Sequence, residues 1–477
     1  MRRQSSPFLR GGNLRDSLGT TLNGLLERLS AAERSEIREA VRAEAFARGV
    51  VYYDDANRPQ PTPVLLRPRV LGGNQRAYLH RVTRILEHAY MRLVSLWQRD
   101  PRVREILPLT ELELRWMSEL ADPENQVEVF FGRFDASTDF GSHDWIKSTQ
   151  FFEFNPLGAG GTYLAPTVDE IILRHVAPAL RRVAPTLILE SNDDPRRVLL
   201  EVLADHARHL RLKRFNLALC QYKGLEGGVE EFPKNVEFLR SLGIAVWHAD
   251  PRELRLADGE IYYEDHPIDL IYRDHEINDL AAKEAAGDDL SAMRHALQHG
   301  RCISSLAGEF DHKSVFEIFT TPELAAHFTA LERRVFRQHV PWTRRILPGR
   351  TTDPAGQGIE LMPWLLEHRA RIVLKPNRSY GGEGILLGRD LDGTQYTAAL
   401  ERALENPGTW VAQDYSPVAE KDFPLIDGEG GLALAEYFSV LGLFASEQRL
   451  GILGRASRKK IVNVALEGGL VAVLRLL

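Results

Sequence analysis

The stretch Val373–Ile385, VLKPNRSYGGEGI, sets Lys375 a few residues ahead of Gly381, Gly382 and Gly384. A lysine followed by clustered glycines suits an anion, because backbone N–H groups close around charged oxygens where no Cβ blocks them. Three familiar arrangements do not fit. A P-loop ends in Gly-Lys-Ser/Thr, which is absent. The dinucleotide fingerprint needs glycines at its first, third and sixth places, and after Gly382 and Gly384 the next glycine, Gly388, falls one position late. In a protein kinase the glycine loop precedes the strand lysine, whereas here Lys375 comes first. What remains is a lysine on a strand, a glycine turn and a second strand near Ile385, a hairpin able to close over phosphates as a lid. A tight surface hairpin with an incidental lysine is the alternative.

A nucleotide lid needs a magnesium site, and Mg2+ takes one or two carboxylates together with phosphate oxygens and water. In GRFD, Arg133 and Asp135 are two positions apart, so both project from one face of a strand; Glu153 and Asn155 in FEFNP do the same. If the strands are neighbours, an arginine, two carboxylates and an amide oxygen converge. Such a patch suits ATP-bound Mg2+, with Arg133 neutralising a phosphoryl group in transfer. A solvated sheet face with ordinary cross-strand ion pairs is the alternative. The following NPLGAGGTY has the composition of an active-site loop.

Two weaker signals accompany these. YRDHEIND closes an expected strand, where α/β folds bind ligands, and Arg273 there could take a substrate carboxylate. His206 and His209, three apart on a helix, could share a metal, but without a third ligand they read as a solvated face.

The elements that must position these residues follow from periodicity. Leu18, Leu22, Leu25, Leu26 and Leu29 recur at helical spacing, Ser30 and Glu33 form a capping box for a second helix, and Leu79 to Leu96 carries a third apolar stripe. The region before about residue 125 is therefore expected to be mainly helical, with residues to about Asp16 disordered. VEVFFGRFDA and TQFFEFN read as strands, and FNLALC through PIDLIYRD as an α/β unit with a hairpin at Asp258-Gly259. RIVLKP, TWVAQDY, LALAEYFSVLGLF and KKIVNVAL supply the last strands.

The chain has 477 residues, enough for two or three packed units, with globular proportions of 44% hydrophobic and 26% charged residues. A net charge of −6 gives no general reason to bind nucleic acid. Two cysteines, Cys220 and Cys302, exclude a disulfide framework and fit a reducing cytoplasm. No signal-peptide core or membrane-length apolar run is seen, so a cytoplasmic protein without membrane contact is expected.

Taken together and in this order, GRFD and FEFNP early with VLKPNRSYGGEGI and WVAQDYSP late, the chain resembles the circularly permuted ATP-grasp ligases, whose best-known relative is the glutathionylspermidine synthetase-type domain. The resemblance implies a mixed α+β and α/β ATP-grasp fold in permuted order: a helical N-terminal region (1–125), a metal-binding part (126–195), a pre-grasp-like α/β unit (196–310), and a nucleotide-binding lobe with a C-terminal sheet (311–477). It makes Asp135, Glu153 and Asn155 the Mg2+ ligands and Arg133 the phosphate-contacting arginine. Lys375, Lys313, Gly381, Gly382, Gly384 and Gln413 become the ATP contacts, with Gln413 to Tyr415 as a hinge beside adenine. Arg455 and Arg458 could reach phosphate. The implied chemistry is ADP-forming ligation of a small carboxylate to an amine through an acyl phosphate, the partners being by analogy an amino acid or peptide acid and an amino-acid or polyamine acceptor. The sequence departs from the relative in lacking an amidase domain with a catalytic cysteine, and NPLGAGG replaces a longer acidic loop. A catalytically silent nucleotide-binding regulator is the rival reading, and phosphoryl transfer to a hydroxyl a third. The oligomeric state is left open.

Overall fold

The computed structural model describes residues 17–53, 58–120, 128–223, 231–379, 381–462 and 468–477. Its largest sheet has eight strands, running Val64–Leu71, Gly468–Leu476, Leu450–Ser457, Leu432–Ala445, Arg133–Ser137, Gln150–Asn155, with Ala419–Ile426 paired to Leu432–Ala445 and Leu189–Ser191 to Gly468–Leu476. A separate four-stranded sheet runs Thr343–Arg345, Trp410–Asp414, Ile372–Pro376, Leu386–Leu387. A third, parallel throughout, orders Cys302–Ile303, Leu270–Arg273, Leu217–Cys220, Val246–Ala249. The architecture is a mixed α/β one, and the expected Asp258-Gly259 hairpin joins Leu254–Ala257 to Glu260–Tyr263.

Strand alternation decides which side chains are free for chemistry. In Ile372–Pro376, Ile372 and Leu374 enter a core with Trp342, Trp364 and Leu400, which leaves Val373 and Lys375 on the other face. In Arg133–Ser137, Phe134 and Ala136 enter the main core and Arg133 and Asp135 face away from it. Phe134 stacks on Phe154 at 3.9 Å between centroids and meets Phe151 edge-on, so this aromatic cluster fixes the pairing of the two strands that carry the charged residues.

The N-terminal region follows its periodicity in part. Ser30 and Glu33 form the reciprocal cap of the helix Ala31–Ala47. The long apolar stripe divides into Gly73–Met91 and Leu93–Arg99, the first helix ending at Arg92. The region is less purely helical than expected, because Val64–Leu71 is a strand parallel to Gly468–Leu476, nearly the full chain length away. Its sequence VLLRPRVL hides this, since Pro68 cannot donate to a ladder; the pairing shifts register between Val471 and Val473, where such a residue is accommodated. The expected initial disorder lies outside the described residues, as does the second half of KKIVNVAL, and the strand that follows is Gly468–Leu476.

Phe134 is fully buried, and Phe134→Ala should lower the unfolding free energy by about 3–5 kcal/mol. Urea titration followed by fluorescence measures it, and a loss below about 1 kcal/mol would show that the aromatic cluster does not hold the strand pair.

Candidate active site

The large sheet and the Lys375 sheet together line a cavity of about 140 Å³. From the first come Arg133, Asp135, Glu153, Asn155 and Arg455; from the second Lys375, Gly381, Gly382 and Gln413. Residues more than two hundred positions apart in the chain thus meet in one space. Arg133 pairs across the strands with Asn155, and Asp135 with Glu153. The register then shifts, leaving Phe152 unpaired as a bulge between Glu153 and Phe151. Lys375 Nζ donates to the Phe152 carbonyl at 3.3 Å and to Gln413 Oε1 at 2.7 Å.

Asp135 is 1% exposed and lies between two guanidiniums. Arg133 Nε donates to its Oδ1 at 2.8 Å, and Arg455 Nη2 approaches its Oδ2 at 2.7 Å. Burial works to raise its carboxyl, and the arginines outweigh burial and hold it below the usual range. Space for Arg133 comes from Gly442 in the neighbouring strand, where a Cβ would fall 2.5 Å from Arg133 Cδ. Arg133 Nη1 also donates to the Gly160 carbonyl at 2.7 Å, tying the NPLGAGG loop to the cavity. The loop is fixed from its far side by Glu231, which accepts from the Gly161 and Tyr163 amides, each at 2.6 Å.

The expected residues are placed unequally. Lys313 lies outside the lining but spans it: its Nζ is 3.4 Å from Glu153 Oε1 and donates to the Ser379 carbonyl at 2.6 Å. Gly381, Gly382 and Gly384 have φ of 66°, 75° and 72°, the left-handed backbone that favours glycine, and a Cβ on Gly382 would fall 3.0 Å from Ile461. Gly384 sits beside Pro376, outside the lining. Asp414, Tyr415 and Ser416 line the cavity next to Gln413, and Asp414 is held by Arg371 at 2.7 Å.

Two expectations change. Arg273 is fully buried and spent on structure, donating to the Ser304, Ser305 and His275 carbonyls and pairing with Glu309 at 2.7 Å; a side chain so enclosed offers nothing to a substrate carboxylate. Asp135, expected as a Mg2+ ligand, has both carboxylate oxygens engaged by Arg133 and Arg455. Arg455 belongs in the cavity, whereas Arg458 is exposed and outside the lining. The solvated face expected for His206 and His209 holds only for His209: His206 is buried and its Nε2 bonds the Gly300 carbonyl at 2.6 Å. Sequence reasoning missed Lys460, Ile461 and Gly442. A glycine between large apolar residues in a long strand was the available signal for Gly442.

Among the described residues no group of three or more His, Cys, Asp or Glu side chains could hold a metal. Magnesium bound beside a phosphate needs fewer protein ligands. Glu153 is half-buried with its carboxylate at the cavity wall, and Asn155 uses its Nδ2 on the Arg133 carbonyl at 3.3 Å, which turns that amide's oxygen into a candidate ligand. This pair fits Mg2+ in the company of phosphate oxygens.

Burial drives the Lys375 ammonium down to about 8, with Glu153 opposing the fall and Lys313 adding to it. The unfolded chain holds this proton more tightly than the folded one between pH 8 and the ordinary value of 10.5, so folding gains stability as pH rises through that window. The stability of the wild type relative to Lys375→Met should therefore rise between those limits by about 3 kcal/mol. Paired urea titrations across the window measure it, and a flat difference would show that the lysine is not strained by burial.

No family model matches the chain, and no curated protein matches it. Among solved structures it is similar to a glutathione synthetase-like effector from Globodera pallida in its apo form, with a TM-score of 0.64, 12% identity, and coverage of 94% of this chain and 98% of the other. At that identity the likeness establishes the fold: the chain has a glutathione synthetase-like architecture.

Proposed function

We propose that the protein is an ATP-dependent, ADP-forming ligase joining a small carboxylate to an amine on a circularly permuted ATP-grasp fold. The observation that carries this reading is the convergence in one cavity of Lys375 and the left-handed glycines from one sheet with Arg133, Glu153 and Asn155 from another. The glutathione synthetase-like architecture supports it, as does the order in which the carboxylate strands precede the lysine strand.

The residues divide the work by charge. Lys375 and Lys313 place ammonium groups where phosphate oxygens would replace the Gln413, Phe152 and Ser379 acceptors they now use. Arg133 and Arg455, oriented by Asp135, face the transferring group and the carboxylate it activates. The Gln413–Tyr415 hinge would lie beside the base. Glu153 and Asn155 would hold Mg2+, which would offset the charge of the phosphates. No protein nucleophile is required: carboxylate oxygen attacks the γ-phosphorus, ADP leaves, and the amine displaces phosphate from the acyl phosphate to give the amide. The cavity's 140 Å³ is small beside the roughly 300–1,000 Å³ of ligand pockets, and in this reading the glycine turn beside Ile461 moves aside to admit the nucleotide.

The test is release of ADP and phosphate from Mg-ATP in pooled carboxylates and amines, with Lys375→Ala and Glu153→Gln in parallel. Release should need both pools, fall by about a hundredfold or more in Lys375→Ala, and demand more Mg2+ in Glu153→Gln. Tight Mg-ATP binding without turnover would favour a silent regulator, a stable phosphorylated product would indicate transfer to a hydroxyl, and absence of binding would remove the nucleotide assignment.

A further inference from the structure

The root of the glycine turn, Asn377-Arg378-Ser379, is fastened more firmly than a lid requires. The Asn377 amide donates to the Thr409 carbonyl at 2.8 Å, its carbonyl accepts from the Lys313 amide at 3.0 Å, and its Oδ1 accepts from the Ser314 amide at 2.9 Å. Arg378 reaches away from the cavity. It makes a forked pair with Glu113, Nη2 to Oε1 at 2.6 Å and Nη1 to Oε2 at 3.0 Å, and its Nη2 also meets Glu276 at 3.0 Å.

Neither carboxylate belongs to the nucleotide lobe. Glu113 is fully buried on the helix Glu111–Leu120, where the Thr110 amide donates to it at 2.7 Å and Asn278 Nδ2 at 2.8 Å. Glu276 precedes the helix Ile277–Ala285, whose first amide donates to Glu309 at 3.0 Å, and Glu309 is the partner of Arg273. A polar chain, half-buried at Arg378 and Glu276 and fully buried at Glu113, Glu309 and Arg273, therefore runs from the glycine turn to an N-terminal helix and on to the parallel sheet. Glu113 lies on a helix, Glu276 caps one and Arg273 ends a strand, and none of them lines the cavity.

We propose that Arg378 is a positioning residue for the nucleotide site: by clamping the root of the glycine turn to Glu113 and Glu276 it fixes the exit of the Lys375 strand, so that lid motion is confined to the glycines beyond Ser379. The inference rests on the nucleotide reading. It also gives the N-terminal helix Glu111–Leu120 a part in the site, as the seat of the clamp. The chemistry selects arginine, because a planar fork can satisfy both Glu113 oxygens and still reach Glu276, which a single ammonium cannot.

The experiment measures Mg-ATP affinity and amide exchange at residues 377–379 and 381–384 on the full chain, well below its unfolding temperature. Arg378→Met should weaken Mg-ATP binding by about tenfold to a hundredfold and speed exchange at Asn377 and Ser379 by about tenfold, with Arg378→Lys between it and wild type. Loss of Arg378 strands the Glu113 charge in the interior, so should Arg378→Met fail to fold, the double variant Arg378→Met with Glu113→Gln carries the same two measurements. A folded variant with wild-type affinity and wild-type exchange would overturn the clamp. Should wild type itself not bind Mg-ATP, the nucleotide reading fails, and exchange alone decides: acceleration confined to the turn keeps Arg378 as its anchor, and unchanged exchange removes it.

Discussion

A carboxylate buried between two guanidiniums sets the geometry of the cavity. Taking Asp135 out of water unpaired would cost several kcal/mol, and the cost is offset only when both arginines arrive in hydrogen-bonding geometry. Arg133 sits on the same strand two residues away, but Arg455 comes from Leu450–Ser457, with the Leu432–Ala445 strand between them. The ion pair can therefore form only when three strands hold one register, and Gly442 is the position in the middle strand that leaves Arg133 room. A one-residue slip would turn the charged set into the aromatic core around Phe134. The site's charges and the sheet's pairing thus constrain each other.

The opposite wall follows a different logic. Lys375 and Lys313 have no fully committed carboxylate partner of their own: Lys375 leans on an amide and a bulge carbonyl, and Lys313 shares Glu153 at 3.4 Å while bonding a backbone oxygen. Neutral acceptors satisfy the hydrogen-bonding needs of a buried ammonium without cancelling its charge. Such a wall is electrostatically incomplete, and an anion that enters exchanges weak partners for strong ones.

The parts of this arrangement that were legible in sequence are those set by local periodicity. Arg133 with Asp135, Glu153 with Asn155, and Val373 with Lys375 each obey the two-residue repeat of a strand, and the left-handed glycines announced themselves by clustering. What escaped reading depends on distant pairing. Nothing near VLLRPRVL shows that its partner is the last strand, and nothing near Arg455 shows Asp135. Arg273 was misread for a related reason: a charged residue at the end of a parallel strand looks available until the Ser304-Ser305 segment and Glu309, both later in the chain, fold over it. The bulge at Phe152, which gives Lys375 its carbonyl, has no signature of its own in QFFEFN.

Under the proposed nucleotide reading, these two walls call for a glycine turn that is anchored at its root and free beyond it. The turn packs near Ile461 at the edge of a cavity of about 140 Å³, and under the proposed reading the lysines already face the space that phosphates would take. A turn that moved as a whole would drag the Ser379 carbonyl away from Lys313 and release that ammonium each time the lid opened. Anchoring the root at Asn377 and Arg378 would separate the two demands, because rotation at the left-handed glycines beyond Ser379 would open the cavity while the lysine wall stayed in place. The arrangement places stiffness where charge must be preorganised and freedom where a ligand must pass.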